Sequence, residues 1–280
     1  MAGRRTTALS RLCAAVAALL AVPAVIHAIF VLPTAVFMDH QSRSAQVTIG
    51  NAGERPEEAE IQLQFGFPDT DSTGTPFVRL IEYPGPEFPS AADWIRPFPR
   101  RVRLEPGDRQ VVRLLAQPPS DLPDGEYWTR MIVTGRGAAA PVASTDTAVR
   151  VGVTLEVRLV AAITYRKGRI TTGITVRDFT AQAAGDSVIA WARFIREGNG
   201  AYLGTATFEL QDPARRTVQS WPVVMAVYYP QRRRFSFPLP GPGGGEYQLK
   251  LTLKSERSDL PKEHVTPAPT VTDSVPVVVR

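Results

Sequence analysis

The 280-residue sequence holds one cysteine, Cys13, and three histidines, His27, His40 and His264. A single thiol makes no disulfide framework, and three scattered histidines show no metal-ligand spacing. Surplus charge is equally scarce. The formal net charge is +5, and Arg4, Arg5 and Arg11 lie in a leader without acidic residues, so the rest is too weakly basic for nucleic-acid binding. "GPGGGEY" at 241–247 lacks the Lys-Ser/Thr of a phosphate loop and reads as a turn. No enzyme, cofactor or metal is expected. A hydrolase built from a pair of scattered carboxylates is the one catalytic reading left, and a minor one. Sustained helical periodicity is also missing beyond residue 30.

What is present begins with "MAGRRTTALSRLCAAVAALLAVPAVIHA", a basic start, an apolar stretch from Leu12 to Ile26 broken by Pro23, and a small residue, Ala28, where a signal peptidase cuts. Residues 1–28 are predicted to be a signal peptide and the protein periplasmic. The alternatives are a cell-surface location, or an uncleaved anchor over residues 12–36, since a bilayer span needs about 20 apolar residues. Membrane contact is expected only through an uncleaved leader. Cys13 precedes most of the apolar core and is badly placed for lipid attachment. A cleaved chain would keep no thiol, and so would be stable without disulfides.

With 44% hydrophobic and 21% charged residues, the chain can bury a real core in one or two domains. Short runs with alternating polarity cover 36–37, 45–49, 60–67, 101–104, 110–115 and 127–133. "GNAGERPEE", "FPDTDSTGTP", "EPGD" and "QPPSDLPDG" separate them and carry turn chemistry. A second series covers 170–176, 187–196, 201–210, 223–229, 234–238, 247–253 and 274–279, with a tight hairpin expected at Asn199 and Gly200. The fold class is therefore all-β, with two immunoglobulin-like β-sandwich domains, 29–166 and 167–280, after the signal peptide. "PDGEYWTRMIV" and "GGGEYQLKLTL" share Gly-Glu-Tyr before a strand, and a tyrosine at such a corner ties its hydroxyl to the main chain.

One run stands apart. "AVRVGVTLEVRLVAAITYR", 148–166, sets an apolar or aromatic residue at every odd position from Val149 to Tyr165. Extended, it would reach about 60 Å, several times a typical strand. It reads as an edge available to a partner, as two strands with a bend near Gly152, or as a core strand running into the interdomain linker.

The ordered set "VLPTAVFMD", "SAQVTIGNAGERPEEAEIQL", "RPFPRRVRLEPGDRQVVRLL", "LPDGEYWTRMIV" and the long alternating run resembles the PapD-like periplasmic pilus chaperones over 31–166. The region after 168 resembles that family's second domain more loosely. The resemblance implies that the last strand of the first domain completes an unfinished partner sandwich by β-augmentation. Val149, Val151, Val153 and Leu155 are the candidate client-binding residues, and Val157, Leu159, Ala161 and Ile163 fall to the protein's own core and junction. It further implies an exported β-rich subunit and an outer-membrane usher as partners. An uncovered edge of this kind self-associates or is covered by its preceding loop.

The family anchors its client's terminal carboxylate with a first-strand arginine and a last-strand lysine. Ala35 stands where that arginine would fall, which puts the anchor in doubt. Arg158 is the candidate for the lysine's role, with Arg150 and Arg166 as rivals. The other reading is an envelope or cell-surface binding or structural protein with no chaperone cycle. Trp191 and Phe194 are expected to pack the second core, Trp94 to pin a Pro-rich loop, and "QRRRF" at 231–235 to be a basic turn entering a strand.

Overall fold

The computed structural model describes residues 29–137, 156–239 and 244–279. The expected signal peptide therefore lies outside the described residues. So do Val149, Arg150, Val151, Val153 and Leu155.

Ten strands make the first sandwich: β1 (Ile29–Leu32), β2 (Ala35–Asp39), β3 (Ser44–Asn51), β4 (Glu57–Thr70), β5 (Pro76–Ile81), β6 (Ile95–Phe98), β7 (Arg101–Leu104), β8 (Arg109–Ala116), β9 (Gly125–Gly137) and β10 (Glu156–Lys167). One sheet runs β1-β3-β8-β6 and the other β2-β10-β9-β4-β5, with β7 on β4. The chain's first described segment thus serves both sheets, crossing from one to the other at Pro33 between β1 and β2. β8 shows why these sequences make strands. Val112, Leu114 and Ala116 face the core, while Arg109, Val111, Arg113 and Leu115 face solvent. Each large apolar side chain so buried contributes about 1.5–3 kcal/mol. The turn before β8 is set by Pro106 and Gly107, whose φ of 85° is the positive value a proline-glycine turn requires.

The second sandwich uses β11 (Thr172–Ala184), β12 (Ser187–Gly198), β13 (Tyr202–Gln211), β14 (Thr217–Val227), β15 (Gln231–Pro238), β16 (Gly245–Lys254) and β17 (Val271–Val279). Its sheets are β11-β12-β15 and β14-β13-β16-β17. The core centres on Phe208, whose ring lies 4.5 Å from that of Phe235 and 4.9 Å from that of Phe237. The all-β, two-sandwich architecture expected from turn spacing and alternation is the one observed.

Several local expectations change. β12 and β13 belong to different sheets, so Asn199 and Gly200 form a crossing rather than a tight hairpin, and the positive φ falls on Gly198, at 80°. Asn199 bridges instead, accepting from Thr171 N–H at 2.8 Å and donating to Arg169 O at 3.0 Å. Trp191 lies outside the second core, on the face of β12 opposite buried Phe194. Its ring sits under Arg232 at 4.3 Å and against Gly74 of the β4–β5 turn. Finally, β1, β5 and β6 are strands that the sequence pattern does not reveal. Trp94 does pin its loop, donating from Nε1 to Ser90 O at 3.1 Å. "QRRRF" forms the first five residues of β15 itself rather than a basic turn before it.

Candidate strand-addition edge and domain junction

β10 pairs antiparallel with β9 along its whole length, from Glu156 opposite Arg136 to Lys167 opposite Gly125. On its other side β2 runs parallel but covers only Ala162 to Arg166. Ala162 N–H donates to Thr34 O at 2.8 Å on that side. Main-chain groups alternate direction along a strand, so Glu156, Arg158 and Val160 also turn their N–H and C=O away from β9. Among the described residues no strand meets them. The result is an open edge, Glu156 to Ala161, that continues directly into the undescribed part of the alternating run.

Side chains along this edge divide as the alternation implies. Ala161, Ile163 and Tyr165 are buried in the first core and Leu159 packs partly against it. Val160, on the outer face, is 39% exposed. Near the open end a ladder of charges crosses four strands. Arg158 Nε and Arg136 Nε each lie 2.9 Å from a different oxygen of Glu156, Arg136 approaches Glu60 at 3.9 Å, and Arg101 meets Glu60 at 3.0 Å. Hydrogen bonds from Arg136 and Arg158 hold the Glu156 carboxyl below the usual carboxylate range, as the Arg101 bond does for Glu60.

The other end of β10 is locked into the junction between the sandwiches. Arg166 Nε donates to Glu126 Oε2 at 2.9 Å and its Nη2 to His264 O at 2.8 Å. The guanidinium lies 5.0 Å over the Phe37 ring, which stacks on His264 at 4.5 Å. Glu126 Oε1 accepts from Trp128 Nε1 at 2.7 Å and from Ala201 N–H at 3.1 Å. One carboxylate thereby joins β9, β10 and the β12–β13 crossing of the second sandwich. Around it Phe65, Phe67, Trp128, Ala201, Leu203, Tyr228 and Val265 form a third apolar cluster, drawn from both sandwiches. Arg130, buried on β9, stacks at 5.2 Å over Tyr228, and its Nε has no hydrogen-bond partner among the described residues.

Of the candidate anchor arginines, Arg158 is exposed beside the open edge and paired with Glu156, whereas Arg166 is committed inside the junction. Ala35 lies opposite Ala162, so that point of the β2–β10 pair carries no cation on either strand. Tyr127 is the corner tyrosine, its hydroxyl donating to Pro123 O at 2.9 Å. Sequence reasoning passed over Glu126 and Trp128, although both stand in the "GEYW" quoted for the tyrosine. Besides Trp128, the partners of this glutamate lie 40 and 75 residues away, beyond any local pattern.

No protein-family model matches the chain, and no curated protein does. Among solved structures, a chain of the CsuC–CsuE chaperone–tip adhesion subunit pre-assembly complex, from the archaic chaperone-usher Csu pili of Acinetobacter baumannii, is 12% identical. That match covers 89% of this chain and 98% of that chain, with a TM-score of 0.43. The chain is similar to pilus chaperones. The YadV chaperone shows 13% identity over 88% of this chain and 99% of its own, with a TM-score of 0.45. The CupB2 chaperone of Pseudomonas aeruginosa shows 14% over 88% and 98%, with a TM-score of 0.37.

Proposed function

We propose that this protein is an exported, periplasmic chaperone of the pilus-assembly type, which holds a β-rich subunit lacking a strand by adding β10 to the subunit's sheet. The observation that carries the reading is the open edge of β10, where Glu156, Arg158 and Val160 turn outward, beyond the end of β2, main-chain groups that no strand pairs among the described residues. An added strand satisfies those groups without any cofactor, and alternate side chains supply the selectivity. On this reading Val149, Val151, Val153 and Leu155 are the side chains that the client takes up. A client carboxylate would meet Arg158 or Arg150, because the Arg166 guanidinium already serves Glu126 and the His264 carbonyl. The chain divides at 166/167, with the first unit binding the client. An outer-membrane usher is the second partner.

Affinity purification from the native envelope tests this, comparing wild type with Val160→Pro and with a Val153→Arg, Leu155→Arg double variant. Val160 N–H meets no partner among the described residues on the open side, so proline there removes an edge donor and leaves the β9–β10 ladder whole. Small exported β-rich proteins should be retained by wild type and lost from both variants, with circular dichroism unchanged. Equal retention by all three forms, or by none, ends the reading.

A further inference from the structure

Among the described residues a second open edge lies at the far side of the same sheet. β5 is the terminal strand, and its sequence PFVRLI is exposed on both faces, with Phe77 at 41%, Val78 at 44% and Leu80 at 38%. Its main chain is equally available. Asp71 N–H donates to Thr75 O at 3.0 Å, and the register continues through Thr70↔Pro76, Asp69↔Phe77, Pro68↔Val78, Phe67↔Arg79 and Gly66↔Leu80. Bonded and non-bonded pairs alternate in an antiparallel ladder, so Pro68↔Val78 and Gly66↔Leu80 are non-bonded pairs. Pro68 lacks an N–H at a position where none is required. Val78 and Leu80 therefore turn both N–H and C=O outward.

An apolar edge of this kind is a template for another strand, and β5 carries neither a lysine nor a bulge to blunt it. Its one charge, Arg79, is neutralised by Asp69 at 2.5 Å and lies 5.2 Å over the Phe77 ring. Pro76, without an N–H, limits pairing at one end, and the chain bends after Ile81 at the other. The partner strand must be short and apolar, and its residue opposite Pro76 receives no N–H from β5.

The geometry points to a second copy of this chain, paired β5 to β5 antiparallel about a two-fold axis at Val78. In that register Val78 and Val78 of the copy exchange both main-chain bonds, and Leu80 N–H reaches the copy's Pro76 carbonyl. Arg79 falls opposite the copy's Phe77, repeating between copies the cation–ring contact already made within each chain. An axis at Arg79 would set two arginines face to face, which is repulsive. An axis at Leu80 would need strand geometry at Glu82 and Tyr83, where the chain has already bent. The pairing is isologous and closes at two copies. So short an edge buries far less than the roughly 800 Å² per partner of a standard interface, and the dimer is accordingly weak.

Sedimentation velocity of the full chain, from about 5 to about 500 µM, tests this, with dissociation expected on the order of 100 µM. Val78→Pro removes the outward N–H while the β4–β5 ladder stays whole, and should weaken the dimer by about tenfold or more at an unchanged melting temperature. Val160→Pro, which strikes the β10 edge, should dimerise as wild type. A wild type that stays monomeric throughout, or a dimer lost with Val160→Pro and kept with Val78→Pro, overturns the proposal. Neither result depends on whether β10 binds a client.

Discussion

Glu126 and Arg166 form an ion pair of 2.9 Å between neighbouring strands, with side-chain exposures of 1% and 16%. Removing one member of such a pair leaves a charge uncompensated, at about 3–5 kcal/mol. Glu126→Gln should therefore lower the urea midpoint sharply, because it strands Arg166 and weakens the Trp128 and Ala201 bonds. Adding Arg166→Met should recover part of the loss. A double variant no more stable than Glu126→Gln alone would show that the charge pair is not what matters.

Trp128 holds the junction without belonging to either main core. Its ring lies 4.6 Å from that of Tyr228 and 5.9 Å from that of Tyr229. Trp128→Ala should cost about 3–5 kcal/mol. It should also widen the distribution of interdomain angles, read as a larger radius of gyration in small-angle scattering, while both cores keep their near-ultraviolet signals. An unchanged scattering curve would count against this cluster as the device that sets domain orientation.

The β10 edge makes a prediction at single-residue resolution. The amides of Glu156, Arg158 and Val160 should exchange hydrogen rapidly in the free monomer, while those of Val157, Leu159 and Ala161, bonded to β9, are protected. Client binding should slow exchange at the first three alone. Protection at all six in the free monomer would mean that the edge is already covered.

Acid should loosen the open end of β10 first. Glu60 and Glu156 have folded-state pKa values below their unfolded ones, through hydrogen bonds from Arg101 and from Arg136 respectively. Their contribution is thus complete above about pH 4.3 and is lost as pH falls through the lower folded values. Urea midpoints measured across that window should fall less steeply for a Glu60→Gln, Glu156→Gln double variant than for wild type. An identical acid limb would show the ladder to be energetically idle.

Gly74 is constrained twice. Its φ is +77°, and a β-carbon there would come within 2.6 Å of Arg234 N and of the Trp191 ring. Gly74→Ala should destabilise by more than about 1 kcal/mol and free the β4–β5 turn from β15, where Arg234 N–H now donates to Gly74 O at 3.0 Å. The readout is a thermal melt combined with exchange at the Arg234 amide.

The sequence was legible wherever one strand carries its own evidence. Alternation in "RQVVRLL" and in the second half of the long run located β8 and β10 and placed Ala161 and Ile163 in the core, whereas Val157, expected beside them, is not part of it. Proline and glycine placed the turn before β8. Period two is a local property of an extended chain with one wet and one dry face, and needs no knowledge of the neighbour. β1 and β6 are too short to show a period, and β5 is exposed on both faces, so its sequence does not alternate at all.

Partnership was decided only by the fold. Arg166 and Arg158 look alike in sequence, as polar-face residues of one strand, yet one is sealed against Glu126 and the other stands beside an open edge. Trp191 likewise meets Arg232 and the Gly74 turn only in the folded chain. By itself the sequence determined most of the strands, though not β1, β5 or β6, and the apolar side of those that alternate, because sterics and solvation act residue by residue. Which edge stays open, where β2 stops along β10, and which charge meets which depend on contacts many residues apart, and only tertiary structure brings those together.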